Sequence, residues 1–94
     1  MQKYDVAHIN EQGVDLIIIP LAEDYDWKTD ALQRQIIVGL QACANAAGLR
    51  GAVVPVWLAG GRMKFIAPRN WHSFLQSIDM NYVASNINRE LTCG

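Results

Sequence analysis

The sequence predicts an α+β domain in which helices pack against a small mixed β-sheet. Residues 14–21, VDLIIIPL, are apolar on both alternating sets of positions, which is typical of a strand covered on both faces. A long stretch with helical spacing follows, and two strand-like runs then flank a pair of glycines. The predicted element order is α-β-α-β-β-α-α, with a three-stranded mixed sheet, one parallel crossover and one β-hairpin.

The first two helices are predicted from caps and spacing. Asp5 is suited to capping a short helix that ends at Gly13. A long helix is predicted from about residue 27 to residue 47, where apolar residues recur at helical spacing. Because this helix separates two strand-like runs, it predicts a right-handed parallel crossover.

Residues 52–58 and 63–67 are predicted to pair as the hairpin. Gly60 and Gly61 between them suit the positive φ angles of a tight two-residue turn. Counting from that turn places Trp57 opposite Lys64, and it also fixes the rest of the register.

Two helices are predicted after the hairpin. Pro68 or Asn70 is suited to starting the first of them. Asp79 is suited to capping the second, which is predicted to run to Leu91 because apolar residues recur at helical spacing throughout.

Composition predicts one domain with a partner surface. The 94 residues carry no linker or repeat, so residues 1–94 are read as a single domain. Hydrophobic residues make up 51% and charged residues 18%, against about 45–50% and about 25% in ordinary domains, which suggests more apolar surface than a small monomer hides. With no leader and no long apolar run, the predicted address is cytoplasmic and no membrane partner is expected.

Nucleic-acid binding is not expected. The net charge is −1, so no overall field attracts a polyanion. Arg62, Lys64 and Arg69 lie near Trp57 and Trp71, as in single-strand binders, but strand alternation separates Trp71 from the others.

The cysteines and histidines are predicted to be structural. Cys43 and Cys93 are too few and too far apart for a disulfide framework or metal knuckle, so a buried Cys43 and an unpaired Cys93 are expected. His8 and His72 are interpreted as surface or hydrogen-bonded side chains. No metal and no cofactor are predicted.

A small-molecule site is the alternative functional hypothesis. It places Glu23, Asp24, Tyr25 and Asp26, in the acidic loop at residues 22–30, at the carboxyl ends of the parallel strands, where open α/β sheets bind ligands. The loop carboxylates themselves are interpreted as a solvated loop with a helix cap rather than a metal site. No nucleophile and base stand at a recognisable spacing, so the hypothesis leans away from an enzyme.

The leading hypothesis is a non-catalytic homodimeric binding or assembly module. One face of the predicted hairpin carries Val53, Pro55, Trp57 and Ile66, which suits half of an isologous interface. Proline cannot donate to a ladder, so Pro55 is expected at an edge-facing position or near a bulge. The C-terminal helix is left open as the other surface for a homodimer.

Two resemblances accompany these predictions. Residues 48–74, GLRGAVVPVWLAGGRMKFIAPRNWHSF, resemble the second half of a thioredoxin-like domain in pattern, but residues 22–27 hold no cysteine, so no redox activity is implied. The stretches YDVAHINEQGVDLIIIPL and GGRMKFIAPRNWH look like the small bacterial proteins of unknown function encoded on integron mobile gene cassettes. That resemblance implies an accessory bacterial protein and brings no catalytic residues.

Overall fold

A five-stranded mixed sheet organises residues 2–93, which are the residues that the computed structural model describes. The strands and helices are β1 (Gln2–Glu11), β2 (Val14–Pro20), α1 (Asp30–Ala46), β3 (Ala52–Ala59), β4 (Arg62–Phe65), α2 (His72–Gln76), α3 (Met80–Ser85) and β5 (Arg89–Cys93). Two 3₁₀ helices, Glu23–Trp27 and Arg69–Trp71, precede α1 and α2. The strand order is β4-β3-β2-β1-β5, and β2 and β3 are parallel while the other neighbours are antiparallel.

The predicted three-stranded sheet and the α-β-α-β-β-α-α order are wrong, first because residues 5–13 do not form a helix. They lie in β1 and the turn that follows it. Val6 and Ala7 are both buried but belong to the cores on opposite sheet faces, which is the two-residue alternation of a strand. Gly13, with a φ of 81°, turns the chain into β2 instead of ending a helix.

The predicted C-terminal helix over residues 79–91 is also wrong beyond Ser85. Asp79 does cap α3 by accepting a hydrogen bond from the Tyr82 amide. The side chain of Asn88 then accepts from the His8 amide and donates to the His8 carbonyl, both at 2.9 Å, which attaches the chain to β1. From there β5 pairs with β1, so Leu91 is a strand residue.

The parallel pairing of the crossover strands and the register of the second hairpin match their predictions. Strands β2 and β3 pair in parallel on either side of α1, and Trp57 lies opposite Lys64 in the β3–β4 register. The carbonyl of Pro55 accepts from Ile66 at 3.2 Å. Since the amide and carbonyl of one strand residue point the same way, the nitrogen of Pro55 faces Ile66, so the bond that proline cannot donate falls just beyond the end of β4 and not in the β2–β3 pairing.

Two hydrophobic cores lie on opposite faces of the sheet. α1 covers one of them, whose buried members are Val6, Ile17, Ile19, Leu40, Ala44, Val53 and Leu91. The α2 and α3 helices cover the other, whose buried members are Ala7, Leu16, Ile18, Val54, Val56, Leu75 and Val83. The domain is therefore built of three layers, with the sheet between helices.

A disulfide joins Cys43 in α1 to Cys93 in β5, with 5.8 Å between the Cα atoms. The prediction of a buried Cys43 and an unpaired Cys93 is therefore wrong. It treated Cys93 as a residue following a helix, whereas β5 returns to the sheet beside β1 and brings Cys93 under α1. The separation of 50 residues in sequence hid this proximity.

Candidate functional site

The face of the sheet covered by α1 has two flanks that differ in how they are filled. We call the side toward β3 and β4 the sealed flank, built from Tyr25, Asp26, Gln33, Trp57 and Lys64. We call the side toward β1 and β5 the open flank, which holds a groove beside the disulfide.

Trp57 and Asp26 close the sealed flank. The Trp57 side chain is 4% exposed, and its Nε1 donates to Asp26 Oδ1 at 3.0 Å. Lys64 Nζ donates to the same oxygen at 3.1 Å. The hydrogen bond from Trp57, followed by that from Lys64, lowers the pKa of Asp26 below its ordinary value. The carboxylate is thus held in its charged form by groups of the fold itself.

Tyr25 completes the sealed flank. Its ring packs edge-on against Trp57 with 4.7 Å between centroids, and its hydroxyl donates to the Gln33 carbonyl at 3.0 Å. Gln33 Nε2 returns a hydrogen bond to the Tyr25 carbonyl at 2.9 Å, which ties the 3₁₀ helix to α1. Burial raises the pKa of Tyr25, so its hydroxyl stays protonated at neutral pH.

The four predicted ligand-binding residues do not share one site. Tyr25 and Asp26 are engaged inside the sealed flank, whereas Glu23 and Asp24 are exposed. Asp24 forms an ion pair with Lys28 at 3.7 Å, one helical turn away. Within residues 2–93, no group of three or more potential ligand side chains is placed to hold a metal ion.

The residues predicted for the dimer interface lie mostly inside the chain. Val53, Pro55 and Trp57 are buried, with α1 and the 3₁₀ helix Glu23–Trp27 packed over their strand, and only Ile66 is substantially exposed, at 37%. The predicted hairpin face is therefore part of the core.

The cations and histidines singled out in the sequence are dispersed. Lys64 belongs to the sealed flank, while Trp71 packs into the core on the opposite sheet face. His8 and His72 each place Nε2 within hydrogen-bond distance of a backbone carbonyl, at 2.8 Å and 3.0 Å. These contacts give both histidines a structural role.

The open flank contains a groove of about 760 Å³ between α1 and the β1–β5 edge. Its lining is largely apolar and consists mostly of small side chains: Tyr4, Ile36, Gly39, Leu40, Ala42, Cys43, Ala46, Ala47, Thr92 and Cys93. Both disulfide cysteines are half-buried, so the pair forms part of the groove wall.

A second cavity of about 370 Å³ lies at the carboxyl end of β2. Its lining is more polar and includes two of the predicted ligand-binding residues: Gln2, Tyr4, Leu21, Ala22, Asp24, Tyr25, Lys28 and Ile36. Tyr4 and Ile36 line both cavities, so the two are adjacent along α1.

The outer face of α1 beside the groove is exposed and uncharged. Residues 35–49 contain no charged side chain, and Val38 is 68% exposed. A β-carbon at Gly39 would have no packing neighbour within 4 Å, so the fold of this chain gives no steric reason for glycine there. Glycine in mid-helix costs about 1 kcal/mol relative to alanine.

We name these elements together the α1–β5 surface. It consists of strand β5, Arg89–Cys93, and four exposed uncharged residues on the adjoining side of α1, which are Gln35, Gly39, Ala42 and Ala46. Sequence reasoning missed it because Gly39 fits the helical spacing of the core stripe. The uncharged stretch of residues 35–49 was the available signal.

Comparisons with known proteins add no relative. No family model matches the chain, and neither a curated protein nor a solved structure matches it. The resemblances to integron cassette proteins and to thioredoxin-like domains therefore stay predictions. Over residues 2–93, no helix is both long and apolar enough to cross a membrane.

Proposed function

We propose that this chain is a non-catalytic assembly module that forms a homodimer through the α1–β5 surface. The observation that carries the proposal is the exposed, uncharged outer face of α1, with a glycine at position 39 that its own packing does not require. A glycine in that position lets a second backbone approach closely. A second copy supplies such a backbone and brings an equally uncharged helix face, so the contact between the two helices buries no unpaired charge.

Strand β5 supplies the second half of the proposed interface. It is an edge strand that pairs only with β1, so the backbone groups along its other side are available to another strand. Two copies of β5 can pair antiparallel about a twofold axis perpendicular to the sheet. That axis keeps both α1 helices on one face of the joined sheet, with their uncharged sides turned toward each other.

Both halves are needed to reach the area of a stable interface. A strand of five residues is about 17 Å long, and by itself it contacts far less than the roughly 800 Å² per partner of a standard interface. The outer face of α1, a helix of 17 residues and about 25 Å, has to contribute the remainder. The apolar excess in the composition agrees with this use of α1.

Sedimentation velocity over a wide concentration range tests the homodimer. The wild type is expected to shift from monomer to dimer as concentration rises. Ala46→Lys places a charge on the groove side of α1 in each copy and is expected to raise the dimer Kd about tenfold or more. Ala84→Lys is the matched control, because Ala84 is also an exposed helical alanine but belongs to α3, on the other face of the sheet.

The possible outcomes distinguish whether a dimer forms at all from whether it forms through the α1–β5 surface. A wild type that stays monomeric at every concentration contradicts the homodimer. A dimer weakened equally by both substitutions contradicts the placement on α1. A dimer weakened by Ala46→Lys alone supports both.

A second candidate function is small-molecule binding in the cavity at the carboxyl end of β2. The favouring observation is that Asp24 and Tyr25 do line a cavity at the position expected for an α/β ligand site. Its volume of about 370 Å³ suits a small metabolite. Lys28 and Asp24 offer one charge of each sign at its rim.

A thermal-shift screen of metabolites tests this candidate. A ligand is expected to raise the melting temperature of the wild type, because it binds only the folded state. Ala22→Leu narrows the cavity and is expected to remove that rise, whereas Ala31→Leu on exposed α1 is expected to keep it. If no compound raises the melting temperature of either the wild type or the Ala31→Leu variant, the result counts against small-molecule binding.

A further inference from the structure

The disulfide lies where the two parts of the α1–β5 surface meet. Cys43 is in the last turns of α1 and Cys93 is the last residue of β5, and both line the groove of the open flank. The two side chains are half-buried rather than enclosed. A small thiol can therefore reach the bond through the groove.

The two ends of β5 are held differently. At its start, the side chain of Asn88 is hydrogen-bonded to both backbone groups of His8, and Leu91 is buried in the core. Beyond Leu91, the partners of β5 are Lys3 and Gln2 at the exposed beginning of β1. The cross-link to α1 is thus the main restraint on the far end of the strand.

We propose that the Cys43–Cys93 pair is a redox latch that controls the order of the α1–β5 surface and, through it, the affinity of the homodimer. The effect on affinity rests on the proposed function, but the effect on the surface does not. Oxidation holds β5 and α1 in one arrangement for a partner to contact. Reduction releases the end of β5, so a partner must order it on binding and the affinity falls.

The chemistry is thiol–disulfide exchange with a dithiol reductant. One thiolate of the reductant attacks a sulfur of the pair, and the other cysteine leaves as a thiolate and takes up a proton. The second thiolate of the reductant then attacks the reductant's own sulfur in the mixed disulfide, and the remaining cysteine leaves as a thiolate and takes up a proton. Two electrons and two protons pass to the cysteines, and the reductant departs as its own disulfide.

The predicted cytoplasmic location determines which redox form of the Cys43–Cys93 pair prevails. Cytoplasmic thiol systems keep most cysteine pairs reduced, whereas oxidising compartments and oxidative conditions preserve disulfides. In a cytoplasm the released form is therefore the resting state, and oxidation strengthens the assembly.

Hydrogen–deuterium exchange and sedimentation velocity on the same samples test the latch. The samples are the wild type, oxidised and treated with dithiothreitol, and the Cys43→Ser/Cys93→Ser variant under both conditions. Reduction is expected to speed amide exchange in β5 about tenfold while the β3–β4 hairpin is unchanged. The dimer Kd is expected to rise about tenfold. The double variant is expected to show the β5 exchange rate and the dimer Kd of the reduced wild type, and neither value should change when dithiothreitol is added.

Amide exchange in β5 and the dimer Kd test different parts of the proposal. Equal exchange of β5 in the oxidised and reduced wild type overturns the latch whatever the oligomeric state. Faster exchange with an unchanged dimer Kd overturns the control of affinity. An oxidised protein that is monomeric throughout contradicts the proposed homodimer, and the exchange of β5 still decides whether the latch exists. Because the reduced wild type is measured directly, a double variant that fails to fold does not prevent the test.

Discussion

The sealed and open flanks lie on either side of the same helix and on the same face of the same sheet, yet they are filled in opposite ways. On the sealed flank, large side chains from the 3₁₀ helix and β3 meet, and Asp26 accepts from both Trp57 and Lys64. On the open flank, α1 presents glycine and alanine above Tyr4 and the disulfide. The sealed flank has satisfied its own polar groups, whereas the open flank leaves room for another molecule.

The comparison teaches that two properties identify a binding surface better than apolar character does. They are the size of the residues and whether their polar groups are already hydrogen-bonded within the chain. Trp57 is the most obvious aromatic anchor for a partner in the sequence, but its indole N–H is already paired inside the chain. Gly39 and Ala42 have no such conspicuous chemistry. Gly39 stands out only because the packing of its own chain does not require a glycine there.

The largest expected effect is that of Trp57→Ala on the sealed flank. Removal of this buried ring should cost about 3–5 kcal/mol in the free energy of unfolding, because it leaves a cavity. Trp27→Ala is the matched control, since Trp27 is 84% exposed and its loss should change stability by only about 0.5 kcal/mol or less. Urea denaturation followed by circular dichroism measures both. Similar losses for the two tryptophans would contradict the division into flanks.

The next largest effect is expected from Cys93→Ser, which removes the link across the open flank. A cross-link over a separation of 50 residues should contribute about 2–4 kcal/mol, mainly by restricting the unfolded chain. Urea denaturation of the wild type should show the same loss when dithiothreitol is added. If dithiothreitol does not change the unfolding free energy of the wild type, the disulfide contributes nothing to stability.

A smaller effect is expected from Asn88→Ala, which acts on the other end of β5. The variant loses both hydrogen bonds to His8 and should be destabilised by about 1–2 kcal/mol. Asn81→Ala, at an exposed position of α3, is the control and should be nearly neutral. Equal stability of the two variants would mean that Asn88 does not anchor the strand.

The smallest effect is expected in the acid limb of the pH profile. Because the folded pKa of Asp26 is lowered from its ordinary value of 3.8, its contribution to stability is present above that value and is lost as pH falls through the folded pKa. Asp26→Asn should therefore flatten the fall in unfolding free energy below about pH 4. Glu23→Gln, an exposed acid in the same 3₁₀ helix, should keep the wild-type slope. Parallel profiles for the wild type and Asp26→Asn would contradict this coupling.

Local patterns in the sequence predicted the middle of the fold well. The apolar run of β2, the helical spacing of α1 and the glycine turn between β3 and β4 each depend on neighbours in sequence, and the structure has all three. The same logic failed at both ends. β5 is a strand because it pairs with β1, across more than 80 positions, and a helix cap such as Asp5 carries no information about that pairing. β1 also pairs with β2 through the turn at Gln12 and Gly13, which the sequence reading took for the end of a helix.

The candidate site was less predictable than the fold. The hairpin face was correctly assigned as apolar, but the sequence does not show that α1 and the 3₁₀ helix Glu23–Trp27 cover it. The disulfide and the groove depend on β5 lying beside β1, so they could not be predicted once β5 was read as a helix. The absence of charge in residues 35–49 was visible from the start, and it became meaningful only when α1 was seen to expose that stretch.

The most direct test of the central claim is a dilution series of the ¹⁵N-labelled, oxidised protein followed by two-dimensional NMR. The account predicts that amide signals of Gly39, Ala42, Ala46 and Thr92, on the open flank, shift with concentration. Signals of Tyr25, Trp57 and Lys64, on the sealed flank, are predicted to stay fixed. Concentration-dependent shifts confined to the sealed flank, or shifts at no residue, would contradict the account.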